Sequence, residues 1–447
     1  MNRSSRFLRF LRIAGLIVAT LIIVPAIPWT YYNIKLGREL QQELGKLRAE
    51  GAPLTMPEAA PRPVPDDQNA AVLYMKVFQV SFDATQPAPP TGLNRFEVPS
   101  GYKSGDWASA EPMRPVLAAP DCQAALRTVR EASLRPSSVF PIHWDQGPDA
   151  VFPHMAQFRQ AARLCAAQAM LCAKDGNLPQ ALDWLGVCYR MANHAAQEPT
   201  LISQLVAIAI QAITNRATEA ILSQADPTPQ QATALLRDAG RLDLARSFHQ
   251  AMLGERTFGL DFFNRIRMRK LSPQELLGDQ GESIVQVPVA LGMLGIGQPY
   301  WKLEELNYLR YMGAAIERSQ QPSRGTTDWP KQAPVRLGSI MAAILIPTFS
   351  RANAKRDQAL AELSLLRQAL DLKLYRRTHG AYPAALAGTG LPTQEDVFAG
   401  KALGYRRQGQ GFVLWSVGPN LKDDGGQPPP RPRDLQKEGD MVWECAR

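Results

Sequence analysis

The stretch that decides the fold class is 153–196, PHMAQFRQAARLCAAQAMLCAKDGNLPQALDWLGVCYRMANHAA. Phe158, Ala162, Cys165, Ala169 and Cys172 recur at spacings of four and three, as do Ala181, Leu185, Cys188, Ala192 and Ala195, which is the period of an apolar helix face. Between the two runs Gly176 is placed to end one helix and Pro179 to open the next. The spacing therefore predicts an antiparallel helical hairpin. Cys165 and Cys188 each lie about twelve residues from the turn centre, so at about 1.5 Å per residue they stand at one level on faces that should meet. They are expected within about 8 Å, Cα to Cα, as packed thiols, with a disulfide as the alternative. Cys172 is expected to be a buried thiol.

Working outward, Gly176, Leu178 and Ala181 resemble the G-x-[aromatic or Leu]-x-x-A core of a tetratricopeptide repeat, for one unit only. No second copy follows at a period of about 34, so no repeat array is expected. After Pro199 the segment TLISQLVAIAIQAITNRATEAIL is apolar on most sides and is predicted to be a central helix. Its Gln204, Gln211, Asn215 and Thr218 fall on one stripe, read as a solvated face or, more sharply, as the wall of a polar groove. A long helix is predicted from Gln230 to about Arg256 and another from Trp301 to Ser319. On the N-terminal side, Asp66 or Asp67 is placed to cap a short helix in NAAVLYMKVFQVSF, and 84–118 reads as irregular. Residues 69–320 thus form a helical domain, and 321–335 (QPSRGTTDWPKQAPV) a linker.

At the N-terminus, Ile13 to Tyr32 carries no ionisable side chain except two tyrosines, about one bilayer crossing. Arg3, Arg6, Arg9 and Arg12 precede it with no acid among them, which by the positive-inside rule keeps 1–12 cytoplasmic and makes 13–32 a transmembrane anchor. The alternative is a cleaved signal peptide, but Pro25 and Pro28 crowd the expected site and no A-x-A follows. Residues 33–68 are a juxtamembrane helix and a Pro-rich spacer. The chain is expected to cross the inner (cytoplasmic) membrane once, with its bulk periplasmic or otherwise extracytoplasmic. The apolar stretches Ile284–Ile296 and Leu337–Phe349 are too short to span and read as buried segments.

With 447 residues, 45% of them apolar, the chain can hold two or three cores, which excludes wholesale disorder and a disulfide-knot miniprotein. A net charge of +9 without a Lys/Arg run gives no support to nucleic-acid binding. Cys122, Cys165, Cys172, Cys188 and Cys445 include no CxxC, and His143, His154, His194, His249 and His379 are not at metal-ligand spacing. There is no GxSxG, P-loop, GxGxxG or SxxK. Catalytic and organic-cofactor residues are therefore expected to be none. A paired-carboxylate hydrolase leaves no such signature, since its two acids need not be close along the chain. Glu255, Arg256 and Asp261 in GERTFGLDF read as a bundle ion pair.

From Ile340 the text changes character. Leu363, Leu366, Leu370 and Leu374 mark one face of a long helix stopping at His379-Gly380, and short alternating segments flank a QGQG turn at 408–411. Tyr375, Gly380, Tyr382 and Pro383, then Asp396, Gly400, Leu403 and Tyr405, then Ser416, Gly418, Asn420, Asp423, Asp424 and Gly425, and finally Gly439-Asp440 with Trp443, follow one order. That order resembles the major pseudopilin of type II secretion systems and related type IV pilin-like proteins over about 100 of the 447 residues. The resemblance implies, for 336–447, a small α+β module of long helix plus antiparallel sheet. It also implies a calcium loop with Ser416, Asn420, Asp423, Asp424 and Asp440 as ligands. Val397 stands where the family has proline, and no G-F-[TS]-L-x-E processing site precedes Ile340 or Ile13, so a fixed module rather than a polymerising pilin is expected.

The expected molecule is mainly α: a membrane anchor, an extracytoplasmic helical bundle, then the pseudopilin-like module. Its expected role is structural or partner-binding in the envelope, linked to a type II secretion or pilus-like system, with an unidentified envelope protein partner and no nucleic acid. The alternative is an extracytoplasmic glycan or peptide hydrolase using a groove in the helical domain.

Overall fold

The computed structural model describes residues 3–83, 85, 92–268, 297–321, 340–431 and 435–445. It is mainly helical. In chain order the longer elements are α1 (Arg3–Ala49), α2 (Ala70–Phe78), α3 (Pro120–Ser133), α4 (His154–Lys174) and α5 (Leu178–Ala195). They continue with α6 (Leu201–Gln224), α7 (Pro229–Ala239), α8 (Leu244–Arg267), α9 (Gln298–Ser319) and α10 (Ile340–His379). Strands β1 (Gly404–Gln408), β2 (Gly411–Ser416) and β3 (Met441–Cys445) form one antiparallel sheet in the order β1-β2-β3. The chain divides into two compact units, Met1–Glu58 with Arg256–Gly313 and Pro334–Leu345, and Ala59–Glu255 with Ala314–Ala333 and Ile346–Arg447.

In the larger unit α4 and α5 form the expected hairpin, turning at Asp175–Asn177, where Asn177 caps α5 by accepting from the Gln180 amide. All five cysteines are buried thiols. Interaction with the Cys188 side chain, and then burial, push the Cys165 thiol well above its ordinary pKa, so the two thiols are neighbours. α6 packs on both hairpin helices. Its N-terminus is capped twice, by Thr200 on the Ser203 amide and by Glu255 Oε1, which accepts from the Leu201 amide at 2.8 Å. Gly254 allows that second cap, since a Cβ there would stand 1.8 Å from the Pro199 carbonyl oxygen.

Several expectations change. The helix expected from Gln230 to Arg256 breaks into α7 and α8, because Asp243 caps a new start by accepting from the Arg246 amide at 3.0 Å. The segment 84–118, read as irregular, holds one-turn helices at Gly92–Arg95, Trp107–Ala110 and Arg114–Ala118. Asp106 caps the second and Pro115 opens the third. The polar stripe of α6 is not solvated: Gln204, Gln211, Asn215 and Thr218 are all buried. Gln211 donates to the Ala359 carbonyl of α10 at 2.7 Å and Asn215 to Glu362 at 2.8 Å, so the stripe is the seam between α6 and α10. Lys373 of α10 adds an ion pair to Asp226 at 2.9 Å.

The core of this unit holds polar side chains, several of them paired. His194 donates from Nε2 to the Arg135 carbonyl (2.8 Å), so its Nδ1 accepts from the Tyr74 hydroxyl (3.0 Å). Tyr74 in turn lies among Phe78, Phe140 and Phe158. Arg190 of α5 pairs with Asp238 of α7, both nearly closed to solvent. Deep burial pushes His194 down to about 4, so it stays neutral at physiological pH.

In the smaller unit Leu36, Leu40, Leu44 and Leu47 of α1, at helical spacing, pack against Leu260 of α8 and Leu303, Leu306 and Leu309 of α9. Lys302 donates to the Asn33 carbonyl and side chain at 3.1 and 2.7 Å. The charged cluster of GERTFGLDF does not pair within itself. Neighbouring positions on a helix diverge, so Arg256 reaches the Pro53 carbonyl while Asp261 pairs with Arg265 one turn on. N-terminal to this packing, α1 exposes Phe10, Ile13, Leu16, Leu21, Ile27 and Tyr31. Among the described residues two helices are long and apolar enough to cross a membrane, this one and the largely buried α6. The stretch Ile284–Ile296 and nearly all of the linker 321–335 lie outside the described residues.

Candidate functional site

Beside α6 and the end of β3 lie two clefts of about 780 and 390 Å³ that share Arg216 and Glu219, the smaller of them also bounded by α10. The larger is walled by the loop 102–107, by α4 and α6, and by the end of β3. Sequence chemistry fixes the loop. Ser104 donates to the Ile213 carbonyl at 2.6 Å, and Gly105, at φ +85°, lies so close to α6 that a Cβ would meet the Arg216 carbonyl oxygen at 2.6 Å. Asp106 is occupied in capping the Ala108 amide at 3.0 Å. Arg163 and Arg216 line this cleft, both exposed, and among the described residues neither guanidinium has a hydrogen-bond or ion-pair partner.

The smaller cleft is lined by three carboxylates, Glu219 of α6, Glu362 of α10 and Asp440 just before β3. Glu362 is positioned by a relay in which Tyr189 donates to Asn215 Oδ1 (2.7 Å) and Asn215 Nδ2 donates to Glu362 (2.8 Å). Burial raises the Glu362 pKa against the pull of Asn215, Arg216 and Lys355. Glu219 Oε1 accepts from the Glu444 amide at 2.9 Å, fastening the end of β3 to α6. Burial, helped by the nearby Glu362 and Glu444 charges, pushes Glu219 up to about 7, while that amide and Arg216 oppose the rise. Near neutral pH Glu219 is therefore divided between acid and carboxylate, a state suited to giving or taking a proton.

The expected calcium residues lie around the turn after β2, and of them Asp440 also lines the smaller cleft. Asp424 Oδ2 accepts from Asn420 (3.4 Å) and from the Gly439 amide (2.8 Å). Asp440 accepts from the amides of Asp424 (3.2 Å) and Gly426 (2.7 Å). Asp423 accepts from the Trp415 indole and the Gly425 amide, at 2.9 and 3.0 Å. Ser416 donates instead to Asp396 at 2.7 Å. Asn420, Asp424 and Asp440 are thus brought together, while Asp423 and Ser416 have other partners. Among the described residues no three of His, Cys, Asp and Glu are grouped as metal ligands.

Of the cleft residues, the sequence reading singled out Asn215, through the polar stripe of α6, and Asp440 and Trp443, through the pseudopilin-like order. Tyr102, Arg163, Arg216, Glu219, Glu362 and Glu444 come from five separate elements or loops, and no spacing links them. Compared with family models, curated proteins and solved structures, the chain matches none.

Proposed function

We propose that the chain is a membrane-anchored envelope protein with a structural or partner-binding role, recognising an envelope component at the clefts along α6. The observation that carries this is the pair of unpartnered guanidiniums, Arg163 and Arg216, in a cleft whose loop wall is fixed by Ser104 and Gly105. Elsewhere in the larger unit arginines such as Arg114, Arg130 and Arg190 are tied to carboxylates. Charges left free on a prearranged wall lower the cost of binding an external group. A photo-crosslinking residue in place of Lys103, at the cleft rim, should capture an envelope component in cells. The same residue in place of exposed Leu134 should not, and equal capture from both would remove the cleft from the proposal.

The location is supported by the apolar, exposed face of α1 and by the four arginines before Ile13. A reporter active only outside the cytoplasm should be active when fused after Pro65 and after Arg447. The link to a type II secretion or pilus-like system is supported by the order of α10, β1 and β2 and the Asp-bearing turn after them. Calcium belongs to that part of the proposal. It would replace amides as the partner of Asp424 and Asp440, raising the Tm of the full chain, and Asp424→Ala should cancel the rise. An unchanged Tm would take the ion out of the account.

A second reading, a glycan or peptide hydrolase, is favoured by one observation, the placement of Glu219 and Glu362 in one cleft with both pKa values raised. It requires turnover that disappears in both Glu219→Gln and Glu362→Gln.

A further inference from the structure

The chemistry of the larger cleft narrows what it can hold. A ligand facing Arg163 and Arg216 gains most by presenting an anion, and a planar carboxylate can take two N–H donors from one guanidinium. Three acids share the lining with Arg163, Arg216 and Lys103: Asp106 is engaged with the Ala108 amide, Glu219 with the Glu444 amide, and the Glu444 side chain is exposed. The rest of the lining mixes aromatic rings, Tyr102 and Trp107, with hydroxyl and amide groups, Ser223 and Gln224. That mixture suits a ring with an apolar C–H face and several hydroxyls. At about 780 Å³ the cleft is within the usual range of about 300–1,000 Å³ for a small-ligand site.

A peptide fits less well. Peptides commonly dock by adding a strand to a free sheet edge. Here β3 is the edge strand beside the cleft, and the Glu444 amide that such a strand would need is already donated to Glu219. We propose that the larger cleft binds a carboxylate-bearing saccharide, its carboxylate at Arg163 and Arg216 and its ring against Trp107. This rests on the binding reading above and names the ligand class for it.

The test is calorimetric titration of the detergent-solubilised full chain with trigalacturonate, its methyl ester and hexaglutamate. Trigalacturonate should bind, and esterification should weaken it about tenfold or more, as loss of charge-assisted hydrogen bonds requires. Arg163→Gln and Arg216→Gln should each weaken it similarly, whereas Arg159→Gln, an exposed arginine on α4 outside the cleft, should leave it unchanged. Equal binding of acid and ester, indifference to both cleft arginines, or tighter binding of hexaglutamate would overturn the proposal. If trigalacturonate does not bind while the Lys103 cross-link persists in cells, the ligand class is wrong and the cleft remains a binding site. If both fail, the binding reading falls with it.

Discussion

The larger unit contains two polar regions built on opposite principles. Between α5 and α7, and around Tyr74, every charge shown has a partner inside the protein: Arg190 with Asp238, and neutral His194 with a carbonyl and a hydroxyl. In the clefts beside α6, Arg163 and Arg216 have no hydrogen-bond or ion-pair partner among the described residues, and Glu219 and Glu362 are held where burial makes ionisation costly. The first region spends its polar groups on holding helices together. The second holds them ready for something outside the chain, and stability and pH response should separate the two.

The largest expected effect is in the paired region. Asp238→Ala leaves a buried guanidinium without its carboxylate and should cost about 3–5 kcal/mol in denaturant unfolding. Arg163→Gln and Arg216→Gln should each change stability by no more than about 0.5 kcal/mol. A large loss from either cleft variant would mean the arginines have internal partners and would erase the contrast.

Next comes pH. His194 has a folded pKa of about 4, below its unfolded value near 6.5, so the unfolded chain binds the proton first. Its contribution is present above about pH 6.5 and is lost as pH falls toward 4, with a limit of about 3 kcal/mol. His194→Gln, which keeps one donor and one acceptor, should flatten that loss. Glu219 runs the other way. Its folded pKa of about 7 exceeds the unfolded value near 4.5, so its contribution is present below about pH 4.5 and is lost as pH rises through 7. Partial exposure limits this to about 1–2 kcal/mol. Glu219→Gln should be relatively more stable above pH 7, and an unchanged profile in that variant would show that Glu219 ionises freely in the fold.

The same contrast explains what was legible in the sequence. The α4–α5 hairpin and the meeting of Cys165 with Cys188 follow from local spacing, because a 3.6-residue period and one turn set both. The stripe on α6 was visible as a stripe, yet whether it met water or α10 depended on a helix 148 residues away, as the Gln211–Ala359 bond shows. The break at Asp243 was missed because a cap inside a continuous apolar pattern is a weak local signal. The Asp-bearing turn was found by its order of residues, but the pairing of Ser416 with Asp396 is a tertiary fact. The cleft was out of reach. Arg163 and Arg216 look like any exposed helix arginines, and what sets them apart is that α4, α6 and the loop 102–107 bring them into one cleft, which only folding decides.

The most direct measurement joins the two halves of the contrast in one protein, the Arg163→Gln/Arg216→Gln double variant carrying the photo-crosslinking residue in place of Lys103. The account predicts an unchanged Tm together with a cross-link yield in cells lowered about tenfold or more. An undiminished cross-link at wild-type Tm would contradict it, because the free arginines would then have no part in what the cleft binds.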